Sequence, residues 1–288
     1  MGKVADTLTA APAPQLRRLV SSYSGNRYRG FSPGTHIGLP SRNLTVVVSL
    51  DAPLHMAAMP DRSQAPGFFA ALAAGLHTRP AVIGHDGSGC SVSVELTPAG
   101  SRSLLGVPAG ALADTVVDLE ELLGPKVHEL AEPLAAAPDW RACFAVLDKV
   151  LTRLAGRIDE ADESTAYAWR RILESRGDVR IGDLANEMAY SRRQLTKRFR
   201  REYGLTPKQA VRVVRFERSW LALRRLERSA RLRDHRERAS LAEVAVGCGY
   251  YDQAHMARDW NELAGCAPSA WLAAEEFPFV QDSATDTP

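Results

Sequence analysis

A pattern of about thirty residues occurs twice in this chain, and from its midpoint onward the two copies keep every offset at 61 residues. Leu184-Ala185, Ala189-Tyr190, Ser191, Leu195, Lys197, Phe199 and Gly204 to Pro207 form the first copy. Val244-Ala245, Gly249-Tyr250, Asp252, Met256, Arg258, Trp260 and Gly265 to Pro268 form the second, with Tyr251 as one extra residue in its turn. Each copy reads as a helix, a turn and a second helix with a basic outer surface. Two matched heads of this kind imply a double contact with one DNA duplex.

The local signals support that reading. Ile181, Leu184, Ala185 and Met188 recur at i, i+3, i+4 and i+7, the buried stripe of a short helix, as do Leu241, Val244, Ala245 and Cys248. Ser191 and Asp252 are of the residue types that accept a backbone N–H at a helix start. Behind Ser191, Leu195 and Phe199 point inward and Arg192, Arg193, Thr196, Lys197, Arg200 and Arg201 outward. Behind Asp252, Met256 and Trp260 point inward and Gln253, His255 and Arg258 outward. Thr206-Pro207-Lys208-Gln209 combines a capping box with proline at the first helical position, so a helix is predicted from there to about Leu226. Some 20 residues at 1.5 Å each give roughly 30 Å, close to the roughly 34 Å between successive major-groove faces on one side of B-DNA.

Charge separates this region from the rest. Residues 164–272 carry 22 Lys+Arg against 13 Asp+Glu, a net of +9, which leaves a net of −7 elsewhere in a chain whose total is only +2. The basic part is the candidate for a polyanion.

The segments LANEMAYSRRQLTKRF, GLTPKQAVRVVRF and LAEVAVGCGYYDQAHMARDW resemble the C-terminal DNA-binding domain of AraC/XylS-type transcriptional regulators. The likeness covers roughly residues 166–271. It implies seven helices in two subdomains, with recognition helices at about 191–203 and 252–264 entering adjacent major-groove segments of promoter DNA. The family's base-reading positions fall on Arg193, Thr196 and Lys197 in the first unit and on Gln253, His255 and Arg258 in the second. Their chemistry suits the role, since Arg and Lys donate to guanine O6 and N7, and Gln pairs with adenine N6 and N7. Arg192, Arg198, Arg200 and Arg201 are expected beside phosphates, where they set register and affinity. Asp252 and Asp259 are expected as cap and ion-pair partner, because phosphate repels carboxylates. The stretch from Glu227 to Ala239 is longer than the family usually has at that place. Because extending the helix would move the second head by about 1.5 Å per residue, a solvated loop is predicted there.

The first half mixes extended runs with turns. Leu44 to Leu50, Ala81 to Gly84 and Ser91 to Leu96 read as strands. His85 to Gly89 lies between two of them and reads as a hairpin connection. No G-K-[ST] or dinucleotide fingerprint accompanies its glycines, so a phosphate loop is not supported. Met1 to Pro14 and Gln281 to Pro288 read as loose ends. From Ala111 to Gly156 the pattern is helical, clearest at Ala131 to Ala137 and Phe144 to Leu154, with Trp140 and Phe144 as core. The expected fold is thus an α+β N-terminal domain, strands then helices, over residues 1–158. An all-α domain with two helix-turn-helix units over 159–275 and a tail over 276–288 would follow.

The family likeness assigns the N-terminal domain to effector sensing, dimerisation or both. The sensing domain usual in the family is a small β-barrel of the cupin type, which cannot be matched here residue by residue. His36, His55, His77, His85 and His128 form no H-x-H or H-E-x-x-H pattern, so no metal centre or other cofactor is expected. Cys90, Cys143, Cys248 and Cys266 form no C-x-x-C pair and read as inert thiols. Without a G-x-S-x-G or Walker sequence, an enzyme is not expected. An enzyme-like or small-molecule-binding N-terminal module and a partner-binding adaptor remain the alternatives. The expected partners are double-stranded promoter DNA and RNA polymerase, with a small-molecule effector and a second copy of the chain as candidates. No apolar stretch approaches membrane-spanning length and no leader pattern is present, so the cytoplasm is the expected location.

Overall fold

The computed structural model describes residues 2–155, 162–232 and 240–274. Among these described residues ten strands come first or nearly so: β1 (Val4–Ala10), β2 (Val20–Arg29), β3 (Gly34–Gly38), β4 (Leu44–Ser49), β5 (Leu54–Ala58), β6 (Gly67–Phe69), β7 (Ala71–Ala74), β8 (Ala81–His85), β9 (Gly89–Leu96) and β10 (Val116–Asp118). Helices α1 (Pro98–Leu105), α2 (Leu119–Leu123), α3 (Lys126–Ala135) and α4 (Trp140–Leu154) complete the N-terminal part. Then follow α5 (Glu163–Glu174), α6 (Ile181–Glu187), α7 (Arg192–Tyr203), α8 (Pro207–Leu232), α9 (Leu241–Gly247), α10 (Gln253–Leu263) and α11 (Pro268–Ala274). These last seven match the number the family likeness implies.

The strands form two antiparallel sheets, ordered β1-β2-β9-β4-β7-β10 and β3-β8-β5-β6. Without β1 and β10 at the edges of the larger sheet, the order is that of two interlocked Greek keys, an eight-stranded jelly roll. Period-two alternation in β4 gives the larger sheet two faces. Leu44, Val46 and Val48 are buried together with Val92, Val94 and Leu96 of β9, in a core shared with Leu104, Leu130, Leu147 and Leu151 of the helices. Thr45, Val47 and Ser49 face the other sheet and line a space between the two.

Several expectations need correction. The N-terminal segment taken as loose contains β1, paired along its length with β2. Asp6 accepts from Trp140 Nε1 at 2.8 Å and the Ala13 amide donates to Asp148 Oδ1 at 2.8 Å, so contacts more than 130 residues away hold it in place. The His85 to Gly89 segment is not a hairpin, because β8 pairs with β3 and β5 while β9 pairs with β2 and β4. It carries the chain from one sheet to the other, with Gly87 at φ 100° supplying the turn. Val116–Asp118, expected within a helical stretch, is a strand because its three residues pair with β7.

The basic half is organised around α8. On one side Ala210, Val211 and Val214 pack with Trp169, Leu184, Leu195, Phe199 and Tyr203 of the first unit. On another, Val213, Phe216, Trp220 and Leu223 pack with Val244, Met256, Trp260 and Leu263 of the second. A helix that serves two cores must be apolar on more than one face, which explains why its sequence shows no single stripe. Thr206 caps it as predicted, its hydroxyl accepting from Gln209 N at 3.2 Å. It runs past Leu226 to Leu232, however, so the solvated loop expected from Glu227 begins at least six residues later. At 1.5 Å per residue, its 26 residues span about 39 Å. The remainder of that predicted loop, 233–239, lies outside the described residues, as do the boundary at 158/159 and the 276–288 tail.

The two halves are packed together. One buried core runs from the larger sheet through α1–α4 into α5–α8. Leu39, just after β3, enters the core of the second helix-turn-helix unit. Arg102 of α1 grips Glu202 at the end of α7 with Nε and Nη2 at 2.8 and 2.7 Å. Gly204, at φ 73°, lets the chain leave α7 against Ala113, whose Cβ would lie 2.0 Å from a Cβ added there.

Candidate nucleic-acid interface and inner cavity

Both recognition helices start where the sequence places them. The Ser191 hydroxyl accepts from Gln194 N, and the Gln194 side chain accepts from Ser191 N, a complete capping box. Asp252 Oδ1 accepts from His255 N at 2.6 Å. Such caps are worth about 1 kcal/mol each and fix the helix start. The turns before them use a left-handed residue at equivalent places, Ala189 at φ 53° and Gly249 at φ 83°.

On α7, Arg192, Arg193, Lys197, Arg198, Arg200 and Arg201 are exposed and Thr196 is half-buried. Arg193, Thr196 and Lys197 stand at i, i+3 and i+4 and therefore share one face. Thr196 Oγ1 donates to Arg192 O at 2.8 Å, so its hydroxyl proton is directed along the helix. Arg198 differs from the other expected phosphate contacts. Its Nη1 meets Asp162 Oδ2 at 2.8 Å and its guanidinium lies over the Tyr190 ring, which ties α7 to the start of α5. That ion pair, with the Ser164 hydroxyl as the larger cause, holds the Asp162 carboxyl below its usual range.

On α10, Gln253 and Arg258 are exposed and His255 is half-buried. His255 Nδ1 accepts from Tyr251 N at 3.4 Å and its ring meets Tyr250 edge-on at 5.2 Å. With Nδ1 accepting, the neutral ring carries its proton on Nε2. Lys197 and Arg258 occupy equivalent places on the two helices, whereas the place of Arg193 is taken in the second by Ala254, which is exposed. The extra turn residue, Tyr251, is 89% exposed at the leading end of α10. In the sequence it stands out only as one extra residue in the second turn.

Arginines of α8 hold the second head rather than facing outward. Arg212 reaches Asp259 Oδ1 through Nε at 2.9 Å and also pairs with Glu262. Arg218 donates to Gly247 O at 2.8 Å and to Arg176 O at 2.9 Å, joining the end of α9 to the turn after α5. Arg215 stacks on Tyr250 at 5.4 Å. Asp252 and Asp259 thus serve as cap and ion-pair partner, as expected.

The second feature is a cavity of about 760 Å³ between the two sheets. Its wall is largely apolar, with Val47, Leu54, Met56, Phe68, Leu72 and Ile83 contributing, and His36, His55, His77 and His85 interrupting it. Its size lies within the range of small-molecule sites. His55 stacks on Phe68 with ring centres 4.6 Å apart. The buried His77 is held below the usual imidazole range by desolvation, and its Nδ1 lies 2.6 Å from Arg79 O. Because a carbonyl only accepts, Nδ1 carries the proton and Nε2 is an acceptor. Burial, then Asp51 and Asp86, push the Tyr28 hydroxyl up to about 12. Among the described residues no group of three or more His, Cys, Asp or Glu side chains could hold a metal ion. The four cysteines are free thiols. No described helix is long and apolar enough to cross a membrane.

A jelly roll followed by two helix-turn-helix heads on a shared helix defines a two-part architecture, a β-rich N-terminal part joined to a helical C-terminal one. Residues 184–274 match the model of a helix-turn-helix domain, and residues 8–118 match that of a domain of unknown function (DUF6597). The structure of ToxT from Vibrio cholerae covers 87% of this chain and 98% of its own at 11% identity, with a TM-score of 0.52. ToxT bound to (E)-4-(8-methylnaphthalen-1-yl)but-3-enoic acid gives the same coverage at 12% identity and a TM-score of 0.50. The curated proteins give no sequence match. The chain thus carries a helix-turn-helix domain of the AraC/XylS type in its C-terminal part.

Proposed function

We propose that this regulator inserts α7 and α10 into adjacent major-groove segments of promoter DNA and that a small molecule in the jelly-roll cavity modulates this docking. The observation that carries the reading is the mounting of both heads on one rigid helix, each with a cation, Lys197 or Arg258, at the same outward place. In this reading Arg193, Thr196 and Lys197 read bases from the first head and Gln253, His255 and Arg258 from the second. Arg192, Arg200 and Arg201 neutralise phosphates. Arg198 joins them only by releasing Asp162. The domain division at 1–158 and 159–275, RNA polymerase and a second copy of the chain as partners, action in the cytoplasm and the absence of catalysis belong to the same proposal, on the strength of the family.

Control by a ligand is supported by the cavity and by its link to α8, the helix that carries both heads. Thr45 lines the cavity, and on the same ladder position Glu95 stands near Glu217 of α8. ToxT, similar in fold, has been crystallised with a naphthalenyl butenoic acid. The test is a mobility-shift titration with the chain's own promoter region at several salt concentrations. Binding should weaken steeply with salt, by nearly one log unit per log unit of salt for each phosphate neutralised. Salt-independent binding would refute groove docking.

A further inference from the structure

The cavity selects against the most obvious apolar ligands, those that end in a carboxylate. Among the described residues that line it there is no lysine and no arginine. A carboxylate entering such a space loses its water and meets no permanent cation to offset that loss. The charged groups that do line it are Asp51 and Asp86, both exposed at the rim beside Tyr28. Their negative potential opposes an anion and attracts a cation or a donor.

Three of the inner polar groups, His77, Thr45 and Ser49, point the same way. His77 uses its one ring proton on Arg79 O, so what it can offer a ligand is an acceptor. Thr45 and Ser49 are hydroxyls already donating to protein oxygens, Thr45 to Glu95 Oε1 and Ser49 to Ala52 O. Each keeps lone pairs for a ligand's donor. Aromatic faces at Tyr28 and Phe68 suit a ring or a cationic group.

We propose that the cavity binds an apolar, uncharged or cationic molecule whose polar end is a hydrogen-bond donor, a hydroxyl or an amine, and that it excludes carboxylates. The inference rests on the cavity being an effector site, as proposed above. It narrows the ligand to one chemical class.

Three probes of one skeleton test it on the full chain by isothermal titration at pH 7.5: 2-naphthylmethanol, 2-naphthylmethylamine and 2-naphthoic acid. The alcohol and the amine should bind one per chain, at least tenfold more tightly than the acid. Binding should vanish in Ala74→Trp and in Val47→Phe, two separate substitutions on the cavity wall, with a circular dichroism spectrum and a single cooperative urea transition like those of the wild type confirming that each variant is folded. An acid that binds as tightly as the alcohol overturns the exclusion of carboxylates but leaves the cavity as an effector site. Failure of all three probes at millimolar concentration overturns both, and binding that survives in the two folded variants places the probes elsewhere and overturns the proposal.

Discussion

Thr45 Oγ1 donates to Glu95 Oε1 at 3.1 Å across the β4–β9 ladder, so a cavity-lining hydroxyl holds a carboxyl that stands near Glu217 of α8. Burial, and then the neighbouring Glu217, push Glu95 up to about 7, against the opposing pull of Thr45 and Arg42. The folded protein therefore keeps a proton that the unfolded chain releases near the ordinary value of 4.5. Stability is full below that value and falls as pH rises through about 7. Glu95→Gln should leave the urea midpoint nearly unchanged at pH 4.5 and raise it at pH 8. A Gln variant with the wild-type pH profile would assign the dependence to another group.

Arg212 is the clamp between α8 and α10. Asp259 beneath it is only 8% exposed, and its second oxygen has no hydrogen-bond partner. Replacing Arg212 by Met leaves that carboxylate buried without its cation, a loss of about 2–4 kcal/mol. Chemical denaturation should show it, and Asp259→Asn in the Arg212→Met background should recover part of the loss.

Ala189 carries strain that its counterpart avoids. At φ 53° an alanine Cβ sits in the left-handed region, at a cost of about 1–2 kcal/mol. Glycine occupies the same place in the second turn, at φ 83°. Ala189→Gly relieves the clash but gives the unfolded chain about 0.4–1 kcal/mol of extra freedom. The net result should be a gain of roughly 0.5–1 kcal/mol, read as a rise of a few degrees in Tm. A fall in Tm would show that the turn is not strained.

The helical half was legible because its signals are local. Ser191, Thr206 and Asp252 announce their helices within three residues, and the 61-residue offset announces the duplication. The jelly roll was not, because its strands are short and its order depends on partners far away. Only β4, β8 and β9 have the β-branched or alternating runs that mark a strand alone. β1 depends on Trp140 and Asp148 at the other end of the domain, and the cavity exists only once β4 and β5 face each other. Arg102 and Glu202 are 100 residues apart, so no motif could join them. Arg198 read as a phosphate contact because Asp162, its partner, lies 36 residues upstream at the cap of another helix. Residues that would meet DNA are conspicuous as a charge pattern, whereas those that aim them are conspicuous only after folding.

The measurement that bears most directly on the two-headed account is a base-by-base binding scan of the promoter site with wild-type protein, Lys197→Ala and Arg258→Ala. Both side chains are exposed and make no ion pair with a described residue, so neither substitution should alter the fold. Each variant should lose about 1–3 kcal/mol of discrimination, at positions confined to one of two segments roughly one helical turn apart. The two losses should fall on different segments. Equal weakening on promoter and random DNA, or loss at the same positions in both variants, would contradict the insertion of two separate reading heads.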